Sequence, residues 1–283
     1  MGSIDDIPGR SGGSFPPLPG FILVRRLALG GSSEVFLAHA EGAADFALSL
    51  KILRPKGQSA NLPERFQREC SILARLDHPN IARFMDSGRT ASGDPFIVTE
   101  YVDGRTLREW LEEEEPSRDR KLAIFLQAAE AVDHSHRHQV VHRDLTLENL
   151  LMDENGEARL VDFGVAVPEG GEDVAANILP DVYALGLILR ELVAGQERRD
   201  LQAIAYRAAD RRPHMRHSSV RELIDEVEAF VAGHPVNSYS RSFGYRFGKF
   251  IARNKLAVGL LLAAAGGATL LLVMAGEGSL MLG

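Results

Sequence analysis

The sequence predicts an α+β protein built as two lobes, and three observations carry that expectation. Between Phe21 and about Glu100, short apolar runs follow strand periodicity, with one helical stretch among them. From Thr106 onward the apolar spacing becomes helical, and sheet first with helices second is the mark of segregated α and β layers. A 21-residue run without charge, Leu256 to Gly276, adds a membrane-spanning helix near the C-terminal end.

Residues 1–20 are rich in Gly, Ser and Pro, carry no apolar periodicity and read as a flexible leader. They lack the apolar core of a secretory signal, and Asp6 stands where a myristoylation site needs Ser or Thr. Strands are expected over Phe21–Leu29, Glu34–His39 and Phe46–Leu53, then a helix over Pro63–Asp77, then strands over Ile81–Ser87 and Phe96–Glu100. These make an N-terminal lobe, 21–101. Helices follow over Leu107–Glu114, Arg118–His138, Leu179–Ala194, Leu201–Ala208 and Ser218–Ala232, making a C-terminal lobe, 102–236. No internal repeat interrupts this order.

Residues 237–255 hold Tyr239, Phe243, Phe247 and Phe250 at helical spacing, with Arg246, Lys249 and Arg253 on another face. Such a segment suits an anionic membrane surface, or a linker whose aromatics pack on the lobe; the pattern fits both. The run 256–276 spans about 31 Å, against a hydrocarbon core of about 30 Å. Five basic residues precede it and only Glu277, in the tail 277–283, follows. The positive-inside rule therefore predicts a single-pass membrane protein with its lobes in the cytoplasm. Gly259, Ala263 and Gly267 form a small-residue stripe that permits close helix pairing.

Composition excludes more than it assigns. The net charge of −7 argues against general nucleic-acid binding. The single cysteine, Cys70, excludes an internal disulfide, suits a reducing compartment and reads as packing. His134, His136, His138 and His142 lie close in sequence but lack a second Cys or His pair to complete a metal site. Glu112–Glu115 reads as a solvated helix end.

The chemistry concentrates in VVHRDLTLENLLMDENGEARLVDFG, residues 140–164. Asn149 follows Asp144 by five residues, and Asp162 opens Asp162-Phe163-Gly164. Phosphoryl transfer from a nucleoside triphosphate needs a carboxylate beside the attacking hydroxyl, and a carboxylate plus an amide oxygen to hold Mg²⁺ against the phosphates. Asp144, Asp162 and Asn149 supply those groups in that order.

On these motifs the chain resembles a bacterial serine/threonine protein kinase of the eukaryotic type, over roughly Phe21 to Val236. The resemblance implies a protein-kinase-like two-lobed fold that uses ATP and Mg²⁺. It makes Asp144 the base or the group orienting the substrate hydroxyl, and Asn149 and Asp162 the magnesium ligands. Lys51, in LSLKIL, takes the role of the lysine that holds the α- and β-phosphates. Glu69, in RFQRECSILARLDHPNI, takes that of its helix-borne partner. In RLALGGSSEVFLA the family's three glycines fall on Ala28, Gly30 and Ser33, with Gly31 adjacent and Val35 matching. Leu27, Val35, Thr99 and Leu151 should line the adenine site, with backbone groups of Glu100 and Val102 on the base edge.

The chain also departs from the family. Thr146 replaces the lysine two residues after the catalytic Asp. Only residues 165–180 separate DFG from DVYALG, with no A-P-E and no Ser, Thr or Tyr; Glu169, Glu172 or Asp173 is the expected permanent anion in place of a phosphate gripped by Arg143. This deletion and a second gap after Gly195 should together uncover part of helix Leu185–Val193 as a docking surface for a partner, a second copy (a homodimer) or the bilayer. Arg216 should lack the A-P-E glutamate as partner. The partners implied are a protein substrate and the membrane. A pseudokinase, binding nucleotide or serving as a scaffold, is the rival reading.

Overall fold

A computed structural model describes residues 18–31, 33–54, 62–163, 178–195, 199–240 and 242–256. The N-terminal lobe is an antiparallel sheet in the order β1-β2-β3-β5-β4, formed by β1 (Phe21–Leu29), β2 (Ser33–Ala40), β3 (Ala43–Leu53), β4 (Phe84–Arg89) and β5 (Pro95–Glu100). Helix α1 (Leu62–Leu73) packs on it through Phe66 and Cys70 against Ile97, so Cys70 is a core residue. Alternation along β3 decides what faces where. Leu48, Leu50 and Ile52 are buried in the lobe's core with Phe36, Phe96 and Val98, so Ser49 and Lys51 point to the other side. The expected strands all form, but the fourth runs Phe84–Arg89 rather than Ile81–Ser87, because Ile81 bridges Leu160 of the other lobe instead. The helix stops at Leu73 rather than Asp77, because the chain turns at Ala74 and Arg75 to reach β4.

Leu18, placed by sequence in the leader, is buried in that core beside Phe21, and Glu41 donates its N–H to the Gly20 carbonyl (2.9 Å). The described end of the leader is therefore part of the lobe.

The C-terminal lobe holds α2 (Leu107–Glu114), α3 (Arg118–Arg137), α4 (Leu179–Leu192), α5 (Arg199–Ala208) and α6 (Val220–Val231). Helix α2 opens on a capping box in which Thr106 and Glu109 satisfy each other's backbone N–H, a device worth about 1 kcal/mol. Helix α3 runs through the core with Leu122, Ile124, Phe125, Ala128, Ala129, Ala131 and Val132 buried. A three-stranded sheet escapes the sequence reading: β6 (Gly104–Thr106), β7 (Leu150–Asp153) and β8 (Ala158–Leu160). At three or four residues each, these strands are too short to show a period. Gly104 is required there, since a Cβ would lie 2.2 Å from the Met152 carbonyl oxygen.

Leu185, Ile188, Leu189, Leu192 and Val193 are buried, α5 packs against α4, and Leu187 alone among the helix's leucines, isoleucines and valines is exposed. The expected uncovering of this helix is therefore confined to Leu187. Arg216 finds other partners. It donates to the Leu179 carbonyl (2.9 Å) and the Asp210 carbonyl (2.8 Å) and lies over the Tyr183 ring.

The aromatic-basic segment forms α7 (Phe243–Arg253), started by Ser242, whose hydroxyl accepts the Tyr245 N–H. It packs on the C-terminal lobe through residues off the stripe the spacing singled out, of which the Phe243 side chain lies outside the described residues. Tyr245 turns inward and accepts the Val236 N–H at its hydroxyl, while Lys249 pairs with the largely buried Asp200 at 2.6 Å. Phe247 and Phe250 are half exposed. The span expected over 256–276 lies outside the described residues but for Leu256; among those described, no helix is long and apolar enough to cross a membrane.

Candidate active site

Between the lobes lies a cleft of about 400 Å³. Its roof is Leu27, Ala28 and Val35 from β1 and β2, with Ser49 and Lys51 from β3; Thr99 to Val102 form its back edge; Asn149, Leu151, Val161, Asp162 and Phe163 form its floor. Every apolar residue expected around the adenine is there, as are Lys51, Asn149 and Asp162. The sequence reading missed Ile81, Phe84, Ile97, Tyr101, Gly104 and Thr106, which also line it. Ile97 lies within β5 and the others at strand ends or in connections, and their facing depends on tertiary packing rather than on any local motif.

Lys51 and Asp162, 111 residues apart in sequence, form a partly buried ion pair across the cleft. The partner seen for Lys51 is thus Asp162. The backbone of Glu69 lies in α1, and its side chain is outside the described residues. Asp162 has φ +62° and Arg143 φ +67°, left-handed conformations that non-glycine residues adopt at a cost and that concentrate at functional sites. Phe163 lines the cleft floor and packs on the core, its ring 4.8 Å from that of His142.

Asp144 does not line the cleft; it is exposed at its edge. Asn149 donates to its backbone carbonyl (2.7 Å) and to its carboxylate (3.3 Å), which ties the two residues together. The loop that carries them hangs on Asp181, a residue 1% exposed at the start of α4. One carboxylate oxygen accepts the His142 N–H and bonds His136 Nε2, both at 2.8 Å, and the other accepts the Arg143 N–H at 2.8 Å. The sequence shows Asp181 only as an acidic residue in a helix's first turn, where capping is the ordinary expectation.

His142 is fully buried. Asp144 donates its N–H to Nδ1 (3.3 Å), and Nε2 bonds the Val161 carbonyl (3.2 Å), so the ring is neutral with its proton on Nε2. Burial is the main influence and holds its pKa below the ordinary 6.5, against the pull of Asp181. Burial also lowers His134, aided by the neighbouring His138 and His78, and lowers His78 despite Glu130. These rings meet at a tilt, His134 lying 5.1 Å from His78 and 4.4 Å from His138. A histidine whose folded pKa is depressed leaves the unfolded chain binding more protons below about pH 6.5, so stability is full above that value and falls as pH drops beneath it. His142 alone can remove at most about 1.4 kcal/mol per pH unit. Thermal melts should be flat between pH 7 and 8 and shift downward below 6.5.

Gly30 and Gly31 sit at the exposed tip of the β1–β2 hairpin and do not line the cleft; the Gly30 N–H is taken by the Ser33 carbonyl (2.9 Å). Glu100 gives its N–H to Arg83 (2.9 Å) and its carboxylate to Arg159 of β8, which ties the back edge to the small sheet. Thr146 bonds Glu148, whose carboxyl is lowered chiefly by Arg108. Residues 164–177, including Glu169, Glu172 and Asp173, are outside the described residues.

The donors suit magnesium: Asp162 and Asn149 share the cleft floor and offer oxygen, the ligand a hard cation prefers. Among the described residues no group of three His, Cys, Asp or Glu could hold a metal by itself. A cation held by two protein groups takes its other ligands from phosphate and water.

The profile of the protein kinase domain family matches residues 21–178, more than half of the chain. Serine/threonine-protein kinase PrkC of Bacillus subtilis is 33% identical over 197 residues, covering 62% of this chain and 30% of that protein. A probable serine/threonine-protein kinase PknB of Lactococcus lactis is 30% identical over 197 residues, covering 62% and 31%. The chain therefore spans about a third of the length of these curated relatives. The kinase domain of Mycobacterium tuberculosis PknI, a crystal structure, superposes with a TM-score of 0.62 at 27% identity, over 75% of this chain and 96% of that domain. With a two-lobed cleft that gathers Lys51, Asn149 and Asp162, and with these relatives, the chain belongs to the protein kinase family.

Proposed function

We propose that the chain is a Mg-ATP-dependent serine/threonine protein kinase. The observation that carries this is the meeting of Lys51, Asn149 and Asp162 in one cleft, with Asp144 at its edge. ATP enters between Leu27 or Val35 above and Leu151 below, its base edge against Glu100 and Val102. The Lys51–Asp162 pair divides its charges: the ammonium serves the phosphates, and the carboxylate, with Asn149, holds the cation. Magnesium, when bound, neutralises charge on the phosphates and fixes their position. Asp144 accepts the proton of a Ser or Thr hydroxyl as that oxygen bonds the γ-phosphorus and the bond to ADP breaks. Glu69 steadies Lys51 in this reading. A short segment after Gly164, constitutively charged through Glu169, Glu172 or Asp173, replaces a phosphorylated one. Leu256–Gly276 anchors the domain to the cytoplasmic face of the inner membrane.

A second reading, a nucleotide-binding pseudokinase, has its own support. Thr146 is spent on Glu148 and offers no cation to the γ-phosphate, and the Gly30 N–H is already bonded within the hairpin. Incubating the full chain with γ-labelled ATP, Mg²⁺ and a general protein acceptor separates the two. Label on Ser or Thr supports the kinase. Thermal stabilisation by ATP without label supports the binding module.

A further inference from the structure

We propose that α7 is a membrane rest: its outward face lies in the headgroup layer of an anionic lipid bilayer while its inward face grips the C-terminal lobe, fixing how the lobe stands on the membrane. This rests on the reading of Leu256–Gly276 as a bilayer anchor. The inward grip is on the page. Lys249 pairs with Asp200 at 2.6 Å, both side chains mostly buried, and its ammonium lies 5.6 Å from the Phe230 ring centre and 5.8 Å from that of Tyr245. The Tyr245 hydroxyl holds Val236, its ring meets Tyr239 edge-on at 5.0 Å, and Arg253 reaches His234.

The segment under the helix is also pinned. Ser238 donates its N–H to Glu226 (3.0 Å) and its hydroxyl to the same carboxylate, which His217 also bonds. Burial alone would raise Glu226; the bonds from His217 and Ser238 outweigh it and bring its pKa down to about 2. The helix therefore does not swing freely on a linker.

The outward face is apolar at its centre and cationic around it. Phe247 is 50% exposed and Phe250 49%, with Arg246 exposed beside them, and just past the helix end Lys255 and Leu256 (86%) are exposed too. Helical geometry puts Arg246, Phe247 and Phe250 on one side, away from Tyr245 and Lys249. No Asp or Glu occurs from Val236 to Gly276. Aromatics flanked by cations, with no acid, complement an anionic lipid surface. The same charges would repel one another across a symmetric contact between two copies, which favours lipid as the occupant. Distance makes the contact hard to avoid. The uncharged run begins three residues after Arg253, so the end of α7 stands within about 11 Å of the bilayer entry.

The full chain, reconstituted in phosphatidylcholine vesicles with or without phosphatidylglycerol, tests this. An environment-sensitive fluorophore is placed at Phe250→Cys, and in a control at Asp225→Cys on α6; Cys70 is buried and stays unlabelled. Flotation after alkaline washing reports the anchor independently, and melting temperature confirms that each labelled chain folds. The expected result is several-fold stronger quenching of the Phe250→Cys label by headgroup spin-labelled lipid than of the control, increased by phosphatidylglycerol. A chain that floats but leaves that label as open to aqueous iodide as the control overturns the membrane rest alone. Self-quenching that rises with protein density, without lipid quenching, overturns it in favour of a second copy. A chain that fails to float overturns both the anchor and the rest.

Discussion

Asp181→Ala is expected to cost about 3–5 kcal/mol of folding stability, a large part of the ~5–15 kcal/mol that holds a domain together. The carboxylate is buried and accepts from three donors, the His142 and Arg143 N–H groups and His136 Nε2. Alanine removes all three bonds at a position that is 1% exposed, and each such loss costs about 1–3 kcal/mol. The damage also reaches function, because the anchored residues lead directly into Asp144. Urea unfolding measures the first effect and label transfer from ATP the second. A variant with an unchanged unfolding midpoint would show that the loop is held by something else.

Asp144→Asn should lower phosphoryl transfer about 10²–10⁴-fold, the usual worth of a positioned general base. It should leave ATP affinity nearly unchanged, because Asp144 stands at the edge of the cleft and not in its lining. The fold should survive too, since the side chain is exposed and its replacement is isosteric. Steady-state kinetics with separate variation of ATP and acceptor reads this as a fall in kcat at constant KM for ATP. An equal loss of nucleotide binding would place Asp144 among the nucleotide contacts and contradict the assignment.

Legibility in the sequence followed the range of the interaction. Lys51, Asn149 and Asp162 were readable because their residue type and spacing are set by a chemistry that tolerates few substitutes. Longer strands and helices were readable because six or more residues display a period. The strands β6–β8 were not, because three or four residues display none. Asp181 was present in DVYALG but gave no hint of its three bonds, which depend on α3 and the His142–Arg143 segment arriving at the same place. Arg216 was expected to have lost its partner, yet a carbonyl at the start of α4 and another at Asp210 serve a guanidinium as well as a carboxylate can. In α7 the aromatic stripe was legible and its facing was not. The sequence put Lys249 with the other cations, but the lobe offers it Asp200, and a partly buried ion pair turns the helix so that Tyr245 points in and Phe250 points out.

The central claim is that Lys51, Asn149 and Asp162 form one site for a nucleotide and its metal. Calorimetric titration of ATP into the chain, with Mg²⁺ and then with chelator, in wild type and Asp162→Ala, tests it most directly. The account predicts ATP binding that is tight with magnesium, much weaker with chelator, and insensitive to magnesium in Asp162→Ala. Equal affinity in all four titrations, or no binding in any, would contradict it.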